Sequence, residues 1–204
     1  MPKISLDWLA EYVDTPADLT AAQLAADLVR VGLEEEEIHG GDITGPVVVG
    51  RVISRTPEEQ KNGKVINWCL VDVGEHNAPS DDGAPASRGM VCGAHNFEAG
   101  DLVVVALPGA VLPGPFAIAS RKTYGHISDG MICSARELGL GDDHEGIIVL
   151  GEQGITAEPG TDALELLGLN RQVLEINVTP DRGYCFSMRG VAREYSHATG
   201  AQFR

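Results

Sequence analysis

Two runs decide the fold class of this chain: VVVGRVISRT at residues 47–56 and VINWCLVDVG at residues 65–74. Both are crowded with β-branched residues, and in the second the alternation puts Val65, Asn67, Cys69, Val71 and Val73 on one face of a strand. Between them lies PEEQKNGK (57–64), which has turn chemistry around Asn62-Gly63. Further strands are read in GMVCGA (89–94), LVVVAL (102–107), a stretch near Phe116 to Ala119, and GIIVL (146–150). The polar, Gly/Pro-rich EHNAPSDDGAPASRG (75–89) predicts a mobile hairpin loop, and SARELGL (134–140) a short helical piece. Several short strands in about a hundred residues describe a small closed or partly open barrel.

On either side of residues 40–150 the period turns helical. Ser5 is placed to cap a turn bearing Leu6, Leu9 and Val13, and Thr20-Ala-Ala-Gln23 has the form of a capping box. Leu24, Leu28 and Val31 then form an apolar stripe that Gly32 terminates. The run Glu34 to Glu37 reads as a solvated exit from that helix. After Gly151, TDALELLGL (161–169) is a helix that Thr161 caps and Gly168 ends; VLEINV (173–178) is a strand, and FSMRGVAREYSHA (186–198) a last helix. Neither flank buries a core alone, so residues 1–39 and 151–204 are expected to form one discontinuous α/β domain with the barrel, residues 40–150, inserted into it.

Composition narrows the function. The formal net charge is −15, and basic against acidic side chains number 2 and 9 in residues 1–39, 8 and 14 in 40–150, and 5 and 7 in 151–204. No segment is basic, so any phosphate contact must be local. The four cysteines are scattered without a CxxC pair and read as buried free thiols. Cys92, His95, His126, Cys133 and His144 lack the spacings of a metal site, and no metal is assigned. Cys92-Gly-Ala-His95 is the best nucleophile-and-base pair, but activation needs a bonded base and an orienting third group, and a strand followed by a turn explains the motif. No GxxxxGK[ST] and no helix-opening GxGxxG occurs, hence no nucleotide site. With no apolar run of membrane length and no signal-peptide core at the start, the expected location is the cytoplasm.

Three stretches together resemble the β subunit of bacterial phenylalanyl-tRNA synthetases: KISLDWLAEYVD (3–14); the series VCGAHN, LPGAVLPG, SDGMICSARELGL and GIIVL; and VLEINVTPDRGYCFSMRGVARE (173–194). The middle series is shared with a wider set of tRNA-binding oligonucleotide-binding (OB) domains; the outer stretches make the resemblance specific. TPDRGYCFS departs from the family's commoner TPNR-plus-acidic pattern at Asp181 and Tyr184. There Pro180 and Gly183 are expected to shape a strand-to-helix turn, with Arg182 bridging carboxylates or carbonyls.

The resemblance implies an α+β multidomain fold, a five-stranded OB-type β-barrel inserted into the small discontinuous α/β domain, in a fragment of a longer subunit. It implies a role in tRNA binding and assembly, with tRNA(Phe) and the α subunit of an α2β2 heterotetramer as partners, and neither membrane nor DNA. Aminoacylation would belong to the α subunit, with ATP and Mg2+ used by the holoenzyme and no cofactor or catalytic residue in this chain. It places Asn96, Arg121, Lys122, Ser128, Met131, Ser134 and Glu137 on the tRNA-binding face. Each also has a structural reading. Met131 and Cys133 are candidates for a barrel core, Asn96 for capping a turn, Ser134 with Glu137 for a capping box, and Arg121 with Lys122 for guarding a strand edge. Arg51 and Arg55 extend the basic strip or merely offset acidic surface. Two other functions remain open: an OB-type protein-interaction module that touches no RNA, and a free-standing tRNA-binding protein, the latter disfavoured by the flanking segments.

Overall fold

The structure, a computed structural model, describes residues 1–79, 86–143 and 145–204. In chain order its elements are β1 (Lys3–Ser5), α1 (Leu6–Leu9), α2 (Ala21–Val29), β2 (Glu34–His39), β3 (Val47–Glu59), β4 (Val65–Asp72), β5 (Arg88–Cys92), β6 (Leu102–Ala106), β7 (Val111–Leu112), β8 (Phe116–Ala117), β9 (Arg121–Thr123), β10 (His126–Ser128), β11 (Met131–Ile132), α3 (Ala163–Leu166), β12 (Val173–Asn177) and α4 (Met188–Thr199). They divide into two compact units, Met1–Gly41 with Asn170–Arg204, and Asp42–Leu169. Among the described residues no helix is long and apolar enough to cross a membrane. Part of the loop read at residues 75–89 lies outside the described residues.

In the first unit β12 is the middle strand of an antiparallel sheet ordered β1-β12-β2. Its Leu174 and Ile176 are fully buried, and they share a core with Leu24 and Leu28 of α2 and Val191 and Tyr195 of α4. Leu24 and Leu28 of the expected stripe thus meet the partner surface, whereas Val31 lies past the end of α2, half-buried and outside that core. Thr20 accepts from the Gln23 amide at 3.2 Å while Gln23 Oε1 accepts from the Thr20 amide at 2.8 Å, a complete capping box. Gly32, at φ +79°, lets the Leu33 amide return to the Leu28 carbonyl and stop the helix. Ser5 precedes α1 in extended conformation but makes no side-chain cap.

The reading of Glu34 to Glu37 as a mere exit is corrected. These residues form most of β2, paired to β12 from Glu34↔Asn177 to His39↔Val173. All four side chains stay exposed, as four like charges require, while their backbone completes the ladder of a strand whose own apolar residues are buried. Tertiary pairing overrides local preference here. The turn at residues 179–187 behaves as its residues suggest: Arg182 donates to the Val31 carbonyl and lies 3.8 Å from Glu194, which also accepts from the Tyr184 hydroxyl at 3.0 Å.

The second unit is a nearly closed antiparallel barrel in the order β11-β6-β3-β4-β5. Its long strand β3 pairs with β6 over Val47–Arg51 and with β4 over Arg51–Glu59, with a register shift between Val52 and Ser54. A Cβ on Gly50 would sit 2.7 Å from both Val71 and Val105, so only glycine fits between the two neighbouring strands. The gap between β5 and β11 is closed by the turn before β11: the Asp129 amide donates to the Gly89 carbonyl and the Val91 amide to Ser128 Oγ.

Residues Val48, Cys69, Val71, Met90, Val103 and Val105 fill the barrel. The opposite side of β3 and β6, through Val47, Val49, Val104 and Ala106, packs a second core with Leu112, Ile118, Cys133 and Ala163. Burial on both faces explains the unbroken apolar run LVVVAL. Of the face read on β4, Asn67, Cys69, Val71 and Val73 are buried, whereas Val65 at the hairpin end is exposed.

Three local readings change. GIIVL forms only an isolated bridge, Val149 to Val103, before a 3₁₀ turn at Leu150–Gln153. SARELGL stays in turns, with no helix. α3 is capped by Asp162, whose carboxylate accepts from the Leu164 and Glu165 amides, because the Thr161 hydroxyl is spent on the Glu158 carbonyl. Residues 151–169, assigned to the flanks in the sequence reading, lie in the barrel unit, where the Val49 amide donates to the Thr161 carbonyl at 2.8 Å.

Replacing Leu28 with Ala removes a fully buried side chain from the first core and should destabilise that unit by about 2–5 kcal/mol. Denaturant titration read by hydrogen exchange at the β12 amides measures it; a cost well under 1 kcal/mol would contradict the packing of α2 on that strand.

Candidate nucleic-acid interface

Three contiguous hollows run across one side of the barrel unit. The first, of about 150 Å³, lies between β8 and the Ser128–Met131 turn and includes Phe116, Arg121 and Ser128. A second, of about 360 Å³, shares Val91 and Met131 with it and reaches Lys64, Ser134 and Glu137. The third, of about 470 Å³, shares Ser134 and Glu137 with the second and Phe116 with the first, and adds Arg136. Together they make a groove floored by β-strand ends and walled by two hairpins, β7–β8 and β9–β10.

Five of the seven residues expected on the tRNA-binding face line this groove: Arg121, Ser128, Met131, Ser134 and Glu137. Asn96 does not. Its side chain is clamped to one backbone position, donating to the Ile147 carbonyl at 2.9 Å and accepting from the Ile147 amide at 3.0 Å. That double bond substitutes for ladder pairing where GIIVL has no full strand partner. Lys122 lies on β9, exposed, opposite Ile127 of β10 and outside the groove lining.

Hairpin β9–β10 is anchored by its return strand. His126 stacks on Trp68 with ring centroids 4.2 Å apart and bonds both Glu58 carboxylate oxygens at 3.0 Å. At the tip, Tyr124 is the one non-glycine residue with positive φ, +51°, among the described residues. Neither Arg121 nor Lys122 has an acidic partner within ion-pair distance among the described residues, so both charges face solvent. Two other arginines of the barrel unit, Arg88 and Arg55, are spent, whereas Arg136 lines the groove. Arg88 is held by Asp129 and the His76 carbonyl, and Arg55 donates to Asn67 Oδ1 at 3.0 Å and the Phe97 carbonyl at 2.9 Å. Arg55 therefore does not extend the basic strip; Arg51 is exposed.

The part of the groove lined by Ser134 and Glu137 is held by a capping exchange without a helix. Glu137 Oε2 accepts from both the amide and the hydroxyl of Ser134 at 2.6 Å, leaving Oε1 without a protein donor among the described residues. Ser128 is partly structural, accepting from the Val91 amide and donating to the Gly130 carbonyl, both at 3.0 Å. Met131 is half-buried at the edge of the second core while Cys133 is wholly inside it. Phe116, which the sequence reading took only as part of a strand, is 45% exposed and borders two hollows. Its signal was the setting PGPFA, an aromatic beside a tight hairpin and five residues before the Arg-Lys pair.

Other chemistry is weak here. Cys92 is buried while His95 is exposed, which separates the nucleophile-and-base pair. Burial pushes the Cys69 and Cys133 thiols up to about 12, and the Cys92 and Cys185 thiols up as well. His144 lies outside the described residues. Among the described residues, one group of three metal-ligand side chains gathers: Glu37, His39 and Glu175 on β2 and β12. There Glu175 is already served by His39 at 2.7 Å, Lys3 at 3.8 Å and the N-terminal amine at 3.7 Å, mainly the histidine bond holding its carboxyl below the usual range. This is an ion-pair cluster along the sheet, and no metal is assigned to it.

The groove lies within a stretch that matches a known family. The family model described as "Putative tRNA binding domain" matches residues 47–161, more than half of the chain. Over its full length the chain is 60% identical to a phenylalanine–tRNA ligase beta subunit from Bifidobacterium longum, over 99% of its length 59% identical to that of Leifsonia xyli, and over 98% of its length 56% identical to that of Thermobifida fusca. In each case it spans only 24% of the relative, about a quarter.

Because the thiolate is the reactive form, none of the four thiols of the native protein should react with a thiol reagent at pH 8, and all four should react after unfolding. Rapid native labelling at Cys92 in a mass-spectrometric count would reopen the nucleophile reading.

Proposed function

The chain belongs to this tRNA-binding domain family, and from that membership we propose that it is the tRNA-binding and assembly segment of a phenylalanine–tRNA ligase β subunit. In this reading it supports the attachment of phenylalanine to tRNA(Phe), which the α subunit of an α2β2 enzyme carries out in the cytoplasm. ATP and Mg2+ belong to that catalytic subunit, and no residue of this chain is given a role with either. The observation that carries the proposal is the adjacent, unpaired Arg121 and Lys122 on exposed β9, beside a groove within the family-matched residues.

Physically, the two cations meet phosphate while groove side chains meet unstacked bases, the division of labour usual for looped or single-stranded RNA. A chain of net charge −15 repels RNA at long range, so affinity depends on a few contacts and on other parts of the enzyme. A second reading, an interaction module packed on the α subunit without RNA contact, is favoured by the excess of acidic over basic residues in 40–150 and by Ile127, 66% exposed on the same hairpin.

Replacing both Arg121 and Lys122 with Ala removes two phosphate contacts. The slope of log affinity against log salt should fall by about 1.4, at about 0.7 per contact for a single strand, and by a similar amount for different RNA sequences. Filter binding of tRNA(Phe) to the assembled enzyme measures this, and an unchanged slope and affinity would move the interaction-module reading to the front. The 204-residue chain by itself should give no phenylalanine-dependent ATP–pyrophosphate exchange above a buffer blank; measurable exchange would refute the assignment of catalysis to the other subunit.

A further inference from the structure

We infer that Phe116 is a stacking platform for a single unpaired RNA base, and that the free carboxylate oxygen of Glu137 selects bases carrying an exocyclic amino group. The inference rests on the tRNA-binding reading of the groove and names the part of the RNA that enters it.

Phe116 has an unusual position for a large apolar side chain. It opens β8 immediately after the Pro113-Gly114-Pro115 turn, pairs through its backbone with Leu112, and leaves its ring 45% exposed although Leu112 itself is 1% exposed. The turn and the buried Leu112 fix the backbone, so the ring is presented on a rigid hairpin and not on a mobile loop. The Arg121 guanidinium lies over the ring at 5.8 Å from its centroid, and both residues line the 150 Å³ hollow. The ring also borders the 470 Å³ hollow, whose remaining lining is Leu112, Pro113, Ser134, Arg136 and Glu137. A flat, apolar ligand is thus offered one aromatic face, with a cation beside it for the attached phosphate.

Charge identifies the occupant. Of the charged side chains lining the three hollows, Lys64, Arg121 and Arg136 are basic and Glu137 and Glu145 acidic, a local excess of one positive charge in a chain of net charge −15. The groove lining thus carries a small positive excess where the chain as a whole is acidic, which suits a phosphodiester more than an acidic peptide. Glu137 supplies the discrimination. Its Oε2 accepts both Ser134 bonds, its Oε1 has no protein donor among the described residues, and the residue lines the hollow it shares with Phe116. A carboxylate oxygen accepts from the amino group of cytosine or adenine; opposite the corresponding carbonyl of uracil it meets a second acceptor.

The test measures binding of fluorescently labelled hexacytidylate and hexauridylate RNA to the 204-residue chain at fixed salt, with wild type, Phe116→Ala, Phe116→Trp and Arg121→Ala/Lys122→Ala. Loss of the platform should weaken hexacytidylate binding at least about fivefold in Phe116→Ala, while Phe116→Trp retains it. The wild type should prefer hexacytidylate over hexauridylate by at least about fivefold, since a charge-assisted bond is exchanged for an acceptor clash. Unchanged affinity in Phe116→Ala, with an unchanged thermal transition certifying its fold, would overturn the platform even if the Arg121/Lys122 pair still sets the salt slope; equal affinity for the two RNAs would overturn the base selection. No binding of either RNA by the wild type would overturn the inference and the tRNA-binding reading together.

Discussion

Strand β3 is the constraint on which the barrel unit depends. It must pair with β6 through its first half and β4 through its second, and it must feed side chains into two cores, Val48 and Val52 into the barrel and Val47 and Val49 outward. Such a strand must coil strongly, and Val71 and Val105 approach each other across its first half. Gly50 is where they meet. Any side chain there would push against both strands that flank β3, and the register shift after Val52 then carries the bend into the hairpin. With β3 held in this way, β6 is buried on both faces, and the second core becomes the platform on which the β7–β8 hairpin rests.

In the first unit the corresponding role falls to β12, and it shows why some of the chain was legible in sequence and some was not. The capping box at Thr20, the stop at Gly32, the Asn62-Gly63 turn and the apolar stripe of α2 are local: each is decided by a few neighbouring backbone groups, so a window of residues contains the answer. Glu34 to Glu37 is the opposite case. Nothing in four consecutive glutamates favours a strand, and their side chains do stay in water; the strand exists because β12, far along the chain, offers hydrogen-bond partners and buries its own apolar residues behind them. GIIVL fails for the converse reason. Its composition is that of a strand, but the position it would occupy is served by the Asn96 side chain and by a single bridge to Val103, so the ladder never extends.

The candidate site was partly readable for a related reason. Residue type announces a basic pair such as Arg121-Lys122, but not whether a cation is free. Arg55 and Arg88 look as available in sequence as Arg121, yet each is consumed by carbonyls or carboxylates distant in the chain, Phe97 for the one and Asp129 for the other. Conversely Phe116 reads as an ordinary strand aromatic until its hairpin is seen to leave the ring outside. Ser134 and Glu137 illustrate both readings at once: the capping exchange foreseen for a helix is made on a turn, and the same two residues line the groove.

A groove of this kind must work against the field of its own protein. At physiological salt the Debye length is about 8 Å, so most of the −15 charge is screened from a phosphate seated beside Arg121, while the cation in contact with it is not. Long-range repulsion therefore costs association rate more than it costs the bound state, and a short local excess of positive charge suffices once contact is made. The same balance limits the site. With two exposed, unpaired cations on β9 and an aromatic on the neighbouring hairpin, it has the means to hold a nucleotide or two in place, with an affinity for short RNA that falls steeply as salt rises. Such a groove is suited to adding a positioned contact to an RNA that other surfaces have already brought near, and its acidic surroundings keep its own hold on RNA weak at physiological salt.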